Sequence, residues 1–144
     1  MESTNEPTIL VLEDEENDLF FLRRALATCD FKGCVRVVQT TSQARDYLEG
    51  RGTYADRNYY LLPDLIVTDF KMKGATGVEF LRWLRKEKIY AEIPVVMFSG
   101  TALPQDKAAA LECGALAFFS KSGDFRTVCQ SVEGILKYLP QQKK

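Results

Sequence analysis

The sequence predicts an α/β fold: one domain built on a doubly wound, five-stranded parallel sheet with helices on both faces. Three observations predict it. Apolar, strand-like runs alternate five times with stretches of helical periodicity, the pattern of successive βα units. The run DLIVTD (64–69) is apolar residue after residue rather than at every second position, as strands buried on both faces are. The length of 144 residues suits one domain and falls short of the roughly 250 that an eight-stranded α/β barrel needs.

The elements follow in order. TILVLE (8–13) is the first strand, and the first helix runs from about Glu16 to Thr28 with Leu19, Leu22 and Leu26 on one stripe. VRVVQ (35–39) is the second strand, followed by a helix from roughly Ser42 to Glu49. GRGTYADRNYYLLP (50–63) is longer than the usual connection between elements. Its tyrosines, Tyr54, Tyr59 and Tyr60, are read as loop packing, with an aromatic partner site as the alternative. DLIVTD (64–69) is the third strand. The third helix opens on TGVE (76–79), a capping box in which the Thr76 hydroxyl and the Glu79 carboxylate each take a free backbone N–H; Leu81 and Leu84 are its stripe. PVVMFSG (94–100) is the fourth strand, and the helix from Pro104 to Glu112 stops at Gly114. LAFFSK (116–121) is the fifth strand. Phe125, Val128, Val132, Ile135, Leu136 and Leu139 then recur at helical spacing. The domain is set at 8–139, between frayed ends at 1–7 and 140–144.

Composition excludes several classes of function. The chain is 46% hydrophobic and 27% charged with a net charge of −1, so no overall electrostatic case exists for nucleic acid or an anionic membrane. MESTNEP lacks the basic and apolar regions of a secretory signal, and no apolar run approaches the ~20 residues that span a bilayer. A cytoplasmic location with no membrane contact is expected. The 4 cysteines form no C-x-x-C pair and there is no histidine. That removes mixed Cys/His zinc sets, Ser-His-Asp and Cys-His catalysis, and any phosphohistidine role for this chain. Cys29, Cys34, Cys113 and Cys129 are expected to be free thiols.

In open α/β sheets, ligands bind outside the carboxyl ends of the strands. The first run ends in Glu13-Asp14, the third in Asp69, the fourth in Ser99 and the fifth in Lys121. If the first and third strands are neighbours, three carboxylates share one crevice. At about 4 Å and an effective dielectric near 20, each pair costs on the order of 4 kcal/mol, so a cation or a proton must relieve it. A site of carboxylates and carbonyls suits a hard ion such as Mg2+. With Lys121 as a second cation and Ser99 as a hydroxyl donor, the set forms a clamp for a transferring phosphoryl group, with a carboxylate as nucleophile. Glu15 and Glu16 are read instead as first-turn charges complementing a helix dipole.

The acidic pair after strand one, the Asp ending DLIVTD, the Ser in PVVMFSG and the Lys in GALAFFSK, in this order, resemble the receiver domain of two-component response regulators. The resemblance spans about Thr8 to Leu139. It implies a flavodoxin-like fold with strand order 2-1-3-4-5, and a signalling domain that takes on and sheds a phosphoryl group rather than a turnover enzyme. Carried over by position, it implies that Asp69 is the phosphoacceptor. Asp14 and Asp69 would ligate Mg2+, with Glu13 acting through a water and the Lys71 backbone carbonyl completing the set. Ser99 and Lys121 would each hold a phosphoryl oxygen, Ser99 and Phe118 would form the switch, and Lys71 and Thr101 would tune water access. The donor would be a sensor histidine kinase or a phosphotransfer protein. Output would be contact with a downstream protein through the last strand and last two helices, with a homodimer as an option and no direct DNA binding. The tyrosine-bearing loop and EDEENDLFFLRRAL (13–26) further resemble the stand-alone regulators paired with cyanobacterial phytochromes.

Two departures from the family pattern stand out. Lys73 and Ser122 occupy positions where family members usually carry proline, and a cis bond before serine costs ~2.5–4 kcal/mol. Neither change removes a reacting group. Two alternatives remain at this point: an unphosphorylated interaction module of the same fold, and a haloacid-dehalogenase-type phosphatase. The latter would want a D-x-D where this chain has DFK (69–71).

Overall fold

The computed structural model describes residues 6–72, 75–101, 103–121 and 124–140. The readings made for Lys73, Ser122 and the outermost residues of both ends lie outside these. Five strands, β1 (Thr8–Leu12), β2 (Cys34–Val38), β3 (Leu65–Thr68), β4 (Val95–Ser99) and β5 (Ala117–Ser120), form one parallel sheet in the order β2-β1-β3-β4-β5. The helices are α1 (Glu16–Thr28), α2 (Thr41–Glu49), α3 (Gly77–Lys86), α4 (Pro104–Glu112) and α5 (Phe125–Leu136), with a short 3-10 turn at Gly52–Tyr54. This is the flavodoxin-like arrangement that the sequence predicts.

Period-two geometry turns each apolar run into two cores. Along β1, Leu10 and Leu12 face one way, with Ile66 of β3 and Met97 of β4, and pack on Tyr47 and Leu48 of α2, Phe80, Leu81 and Leu84 of α3, and Ala110 of α4. Ile9 and Val11 face the other way, with Val67 and Phe98, and pack on Leu22 and Leu26 of α1 and Val132 and Ile135 of α5. The central strands β1, β3 and β4 are buried throughout, whereas β5, at the sheet's edge, is half-buried. Five successive fully buried residues in β1 thus need helices on both sides, and the sequence supplies them.

Local chemistry sets the helix ends. Thr40 caps α2 by accepting the Gln43 N–H, and Gly50 closes it in the left-handed region at φ 72°, which glycine adopts without a Cβ penalty. The capping box of α3 forms as predicted, with Glu79 N–H donating to Thr76 Oγ1 at 3.1 Å and Thr76 N–H to Glu79 Oε1 at 3.0 Å. Asp124 caps α5. The apolar spacing to Leu139 overstates α5, which ends at Leu136. Lys137, Tyr138 and Leu139 continue in i→i+3 turns, because Pro140 disfavours helical backbone at the residue before it. Leu139 still packs on the α1/α5 side of the core.

The long loop packs on the protein. The Tyr47, Tyr54 and Tyr60 rings meet at centroid distances of 5.1 to 5.9 Å. Arg36 of the edge strand β2 lies against Tyr59 and Tyr60, at 4.2 and 4.9 Å from their ring centres. The loop is thereby tethered to the outer strand through the Arg36 side chain.

Candidate functional site

Neighbouring strands bring the chemistry-bearing ends together. Leu12 pairs with Thr68, and the ladder continues past the strands: Asp69 N–H donates to Leu12 O at 3.2 Å, Glu13 N–H to Val38 O at 3.0 Å and Lys121 N–H to Ser99 O at 2.8 Å. Glu13, Asp69 and Lys121 are thus each fixed by a backbone bond one step beyond the sheet, and Ser99 is the last residue of β4. The start of α3 lies close against Asp69 and Phe70. Gly77 N–H donates to Phe70 O at 2.7 Å, and a Cβ on Gly77 would come within 2.4 Å of the Asp69 carbonyl oxygen. Only glycine permits that approach, so the seating of α3 against Asp69 depends on it.

The Lys121 ammonium stands at the centre of the site. It donates to Glu13 Oε1 at 2.7 Å, Asp18 Oδ2 at 2.8 Å and Asp69 Oδ2 at 2.8 Å. The other oxygen of Asp69 accepts the Ser99 hydroxyl at 2.7 Å. Glu13 is 4% exposed, and its second oxygen accepts the Glu15 N–H at 3.0 Å. Three acids therefore face one base in a partly dry setting. Burial on its own would lower the Lys121 pKa, but the bonds to Asp18, Asp69 and Glu13 outweigh it and hold the ammonium above its ordinary value. Burial raises the Glu13 carboxyl from its usual range, against the pull of Lys121.

A cavity of about 330 Å3 opens over this cluster, lined by Asp18, Asp69, Lys71, Ser99, Gly100, Thr101 and Lys121. A second, of about 340 Å3, lies beside it between β5 and α4, lined by Thr101, Leu103, Pro104, Lys107, Phe118 and Ser120. Thr101 lines both. Its hydroxyl donates to Asp106 Oδ2 at 2.8 Å and accepts the Leu103 N–H at 3.3 Å, which ties the loop after β4 to the start of α4.

The fold thus joins Glu13, Asp69, Ser99 and Lys121, places Lys71 on the cavity wall, and sets Phe118 one cavity away. Asp14 is half-buried and is not among the residues lining the cavity. The candidate metal donors, carboxylates and the Lys71 carbonyl, are all hard oxygens, which fits a hard divalent cation. As placed, Glu13 and Asp69 are turned to Lys121, and among the described residues no group of three or more His, Cys, Asp or Glu side chains converges as a ready metal site. Asp18 is the site residue that sequence reasoning does not find. Its only signal is its place four residues after Asp14, in the first turn of α1, where acids are common for dipole reasons alone.

Comparison with known proteins bears on this geometry. Residues 9–133 match the family described as the response regulator receiver domain. The KDP operon transcriptional regulatory protein KdpE of Escherichia coli (strain K12) is 35% identical over 113 residues, 78% of this chain and 44% of KdpE. The chain therefore spans less than half the length of that relative. Among solved structures, the phosphorylated cyanobacterial phytochrome response regulator RcpA superposes with a TM-score of 0.83 at 26% identity, covering 93% of this chain and 94% of its own. A response regulator in red light signaling of R. palustris superposes with a TM-score of 0.86 at 23% identity, covering 96% and 99%; at that identity the likeness speaks for the fold alone.

Proposed function

The chain belongs to the response regulator receiver domain family, and from that premise we propose that Asp69 is its phosphoacceptor, charged by a histidine kinase or a phosphotransfer protein. One observation carries the assignment: at the floor of an open cavity, Asp69 has Lys121 on one carboxylate oxygen at 2.8 Å and Ser99 on the other at 2.7 Å. In the transfer, an Asp69 oxygen forms a bond to phosphorus. The phosphorus–nitrogen bond of the donor's phosphohistidine breaks, and the imidazole leaves with the electron pair. Lys121 offsets charge on the incoming group. Ser99 gives up its bond to the carboxylate and donates to a phosphoryl oxygen.

Mg2+, held by Asp14, Asp69 and the Lys71 carbonyl with Glu13 acting through a water, would neutralise the developing charge. Movement of Ser99 is passed to Thr101 and so to the cavity beside Phe118. Modification then biases a two-state packing of the loop after β4, α4 and β5. That surface is the proposed output face toward a downstream protein or a second copy of the chain. A phytochrome-type kinase is the proposed donor, and the likeness to a phytochrome response regulator supports that reading.

The test is intact mass after incubation with phosphoramidate and Mg2+. Wild type is expected to gain a phosphoryl adduct that requires the metal, and Asp69→Asn none at all while remaining folded. An adduct that persists on Asp69→Asn would remove this residue from the role.

A further inference from the structure

We propose that Asp18 is a positioning residue of this site: it holds one of the three Lys121 N–H groups while Asp69 is unmodified, and yields it to the incoming phosphoryl group. The inference rests on the reading of Asp69 as acceptor. A lysine ammonium has three donors and no acceptor. All are taken, by Glu13 at 2.7 Å and by Asp18 and Asp69 at 2.8 Å each. A phosphoryl oxygen arriving on Asp69 therefore reaches Lys121 only when one carboxylate lets go.

The three are not equally able to do so. Glu13 is 4% exposed and held at its other oxygen by the Glu15 N–H. Released, it could not turn into water, and a buried carboxylate that loses its ion pair is costly. Asp69 is the residue being modified. Asp18 is 37% exposed, on the first turn of α1 and on the wall of the same cavity. Released, it turns into water at little cost. Charge acts in the same direction, because a phosphoryl group brings strong negative charge into a cluster where acids already outnumber bases. Asp18 thus keeps Lys121 aimed into the cavity in the resting state and competes with the phosphoryl group for it afterwards.

Removing that competition favours the modified form. Wild type, Asp18→Asn, Asp18→Ala and Asp18→Glu, each as the full chain, are to be compared by intact mass during phosphoramidate charging and after its removal. Asp18→Asn and Asp18→Ala are expected to retain the adduct about two- to fivefold longer than wild type. The gain should shrink in high salt, since screening weakens a partly exposed charge, and Asp18→Glu should return the lifetime toward wild type. A shorter or unchanged lifetime in both Asp18→Asn and Asp18→Ala, with wild type modified normally, overturns this inference and leaves Asp69 in place. A gain that Asp18→Glu fails to reverse also overturns it, because the carboxylate would then not be the cause. A wild type that takes no phosphoryl group removes both.

Discussion

Lys121 and Arg85 are both partly buried cations, and the chain surrounds them in opposite ways. Lys121, 12% exposed, faces three carboxylates. Arg85, on α3, donates to three backbone carbonyls: Ala91 at 2.8 Å, Ile93 at 3.0 Å and Gly114 at 3.1 Å. Carbonyls satisfy a guanidinium with dipoles that carry no net charge and belong to the folded backbone. Burial consequently pulls the Arg85 pKa down, while Lys121 is held up in spite of burial. The first arrangement ties the end of α3 to two loops and is complete. The second leaves acids in excess, and that excess is what a divalent cation would answer. Satisfaction by dipoles marks a structural cation here, and satisfaction by surplus charge marks a reactive one.

The largest effect expected within this comparison is at the reactive cation. Lys121→Met leaves Glu13, 4% exposed, with only the Glu15 N–H among the described residues, and should cost on the order of 3 kcal/mol at neutral pH. The sign of its pH dependence follows from Glu13, whose folded pKa is raised by burial. Such an acid stabilises the fold below its unfolded pKa and loses that contribution as pH rises through the folded value. Without Lys121 the folded pKa climbs further, so the gap to wild type should narrow on acidification toward about pH 5. Urea unfolding at both pH values measures this. An equal gap at both would show that Glu13 is not the group left uncompensated.

At the structural cation, Arg85→Ala removes donors to three carbonyls and should cost about 2 kcal/mol. That loss should be the same at both pH values, and phosphoramidate charging should be unaffected. A pH-dependent loss, or a slower charging rate, would erase the distinction between the two cations.

The smallest effect belongs to the tyrosine loop, which extends the comparison to a third cation. Tyr59, 57% exposed, offers its ring to Arg36, but the bond from Arg36 Nη2 at 2.9 Å goes to the Tyr59 backbone carbonyl. Tyr59→Ala keeps that bond and should lose about 0.5–1 kcal/mol by urea unfolding. A loss several times larger would mean that the ring, rather than the carbonyl, holds the loop on β2.

Much of this architecture is legible in the amino-acid sequence. The five strands, the capping box at Thr76 and Glu79, and the placing of Glu13, Asp69, Ser99 and Lys121 at strand ends all rest on signals a few residues wide. The end of α5 departs from its sequence pattern for a local reason too, since apolar spacing carries through Leu139 although Pro140 halts the helix ahead of it. Asp18 escapes sequence reasoning for a different reason. Its bond to Lys121 joins positions 103 residues apart, and no neighbouring residue reports it.

The sequence by itself determined the layers, because periodicity, caps and turn chemistry act within one or two turns of chain. It also determined which residue types stand at the carboxyl ends, since these simply follow each apolar run. Only the tertiary structure decided that Lys121 donates to Glu13, Asp18 and Asp69 together, that Asp14 stays off the cavity wall, and that Thr101 joins the two cavities. Those outcomes depend on which strands lie side by side, on how α1 packs against α5, and on where each side chain then finds its lowest-cost partner. Such choices are settled by packing and electrostatics over the whole fold, which local signals do not encode.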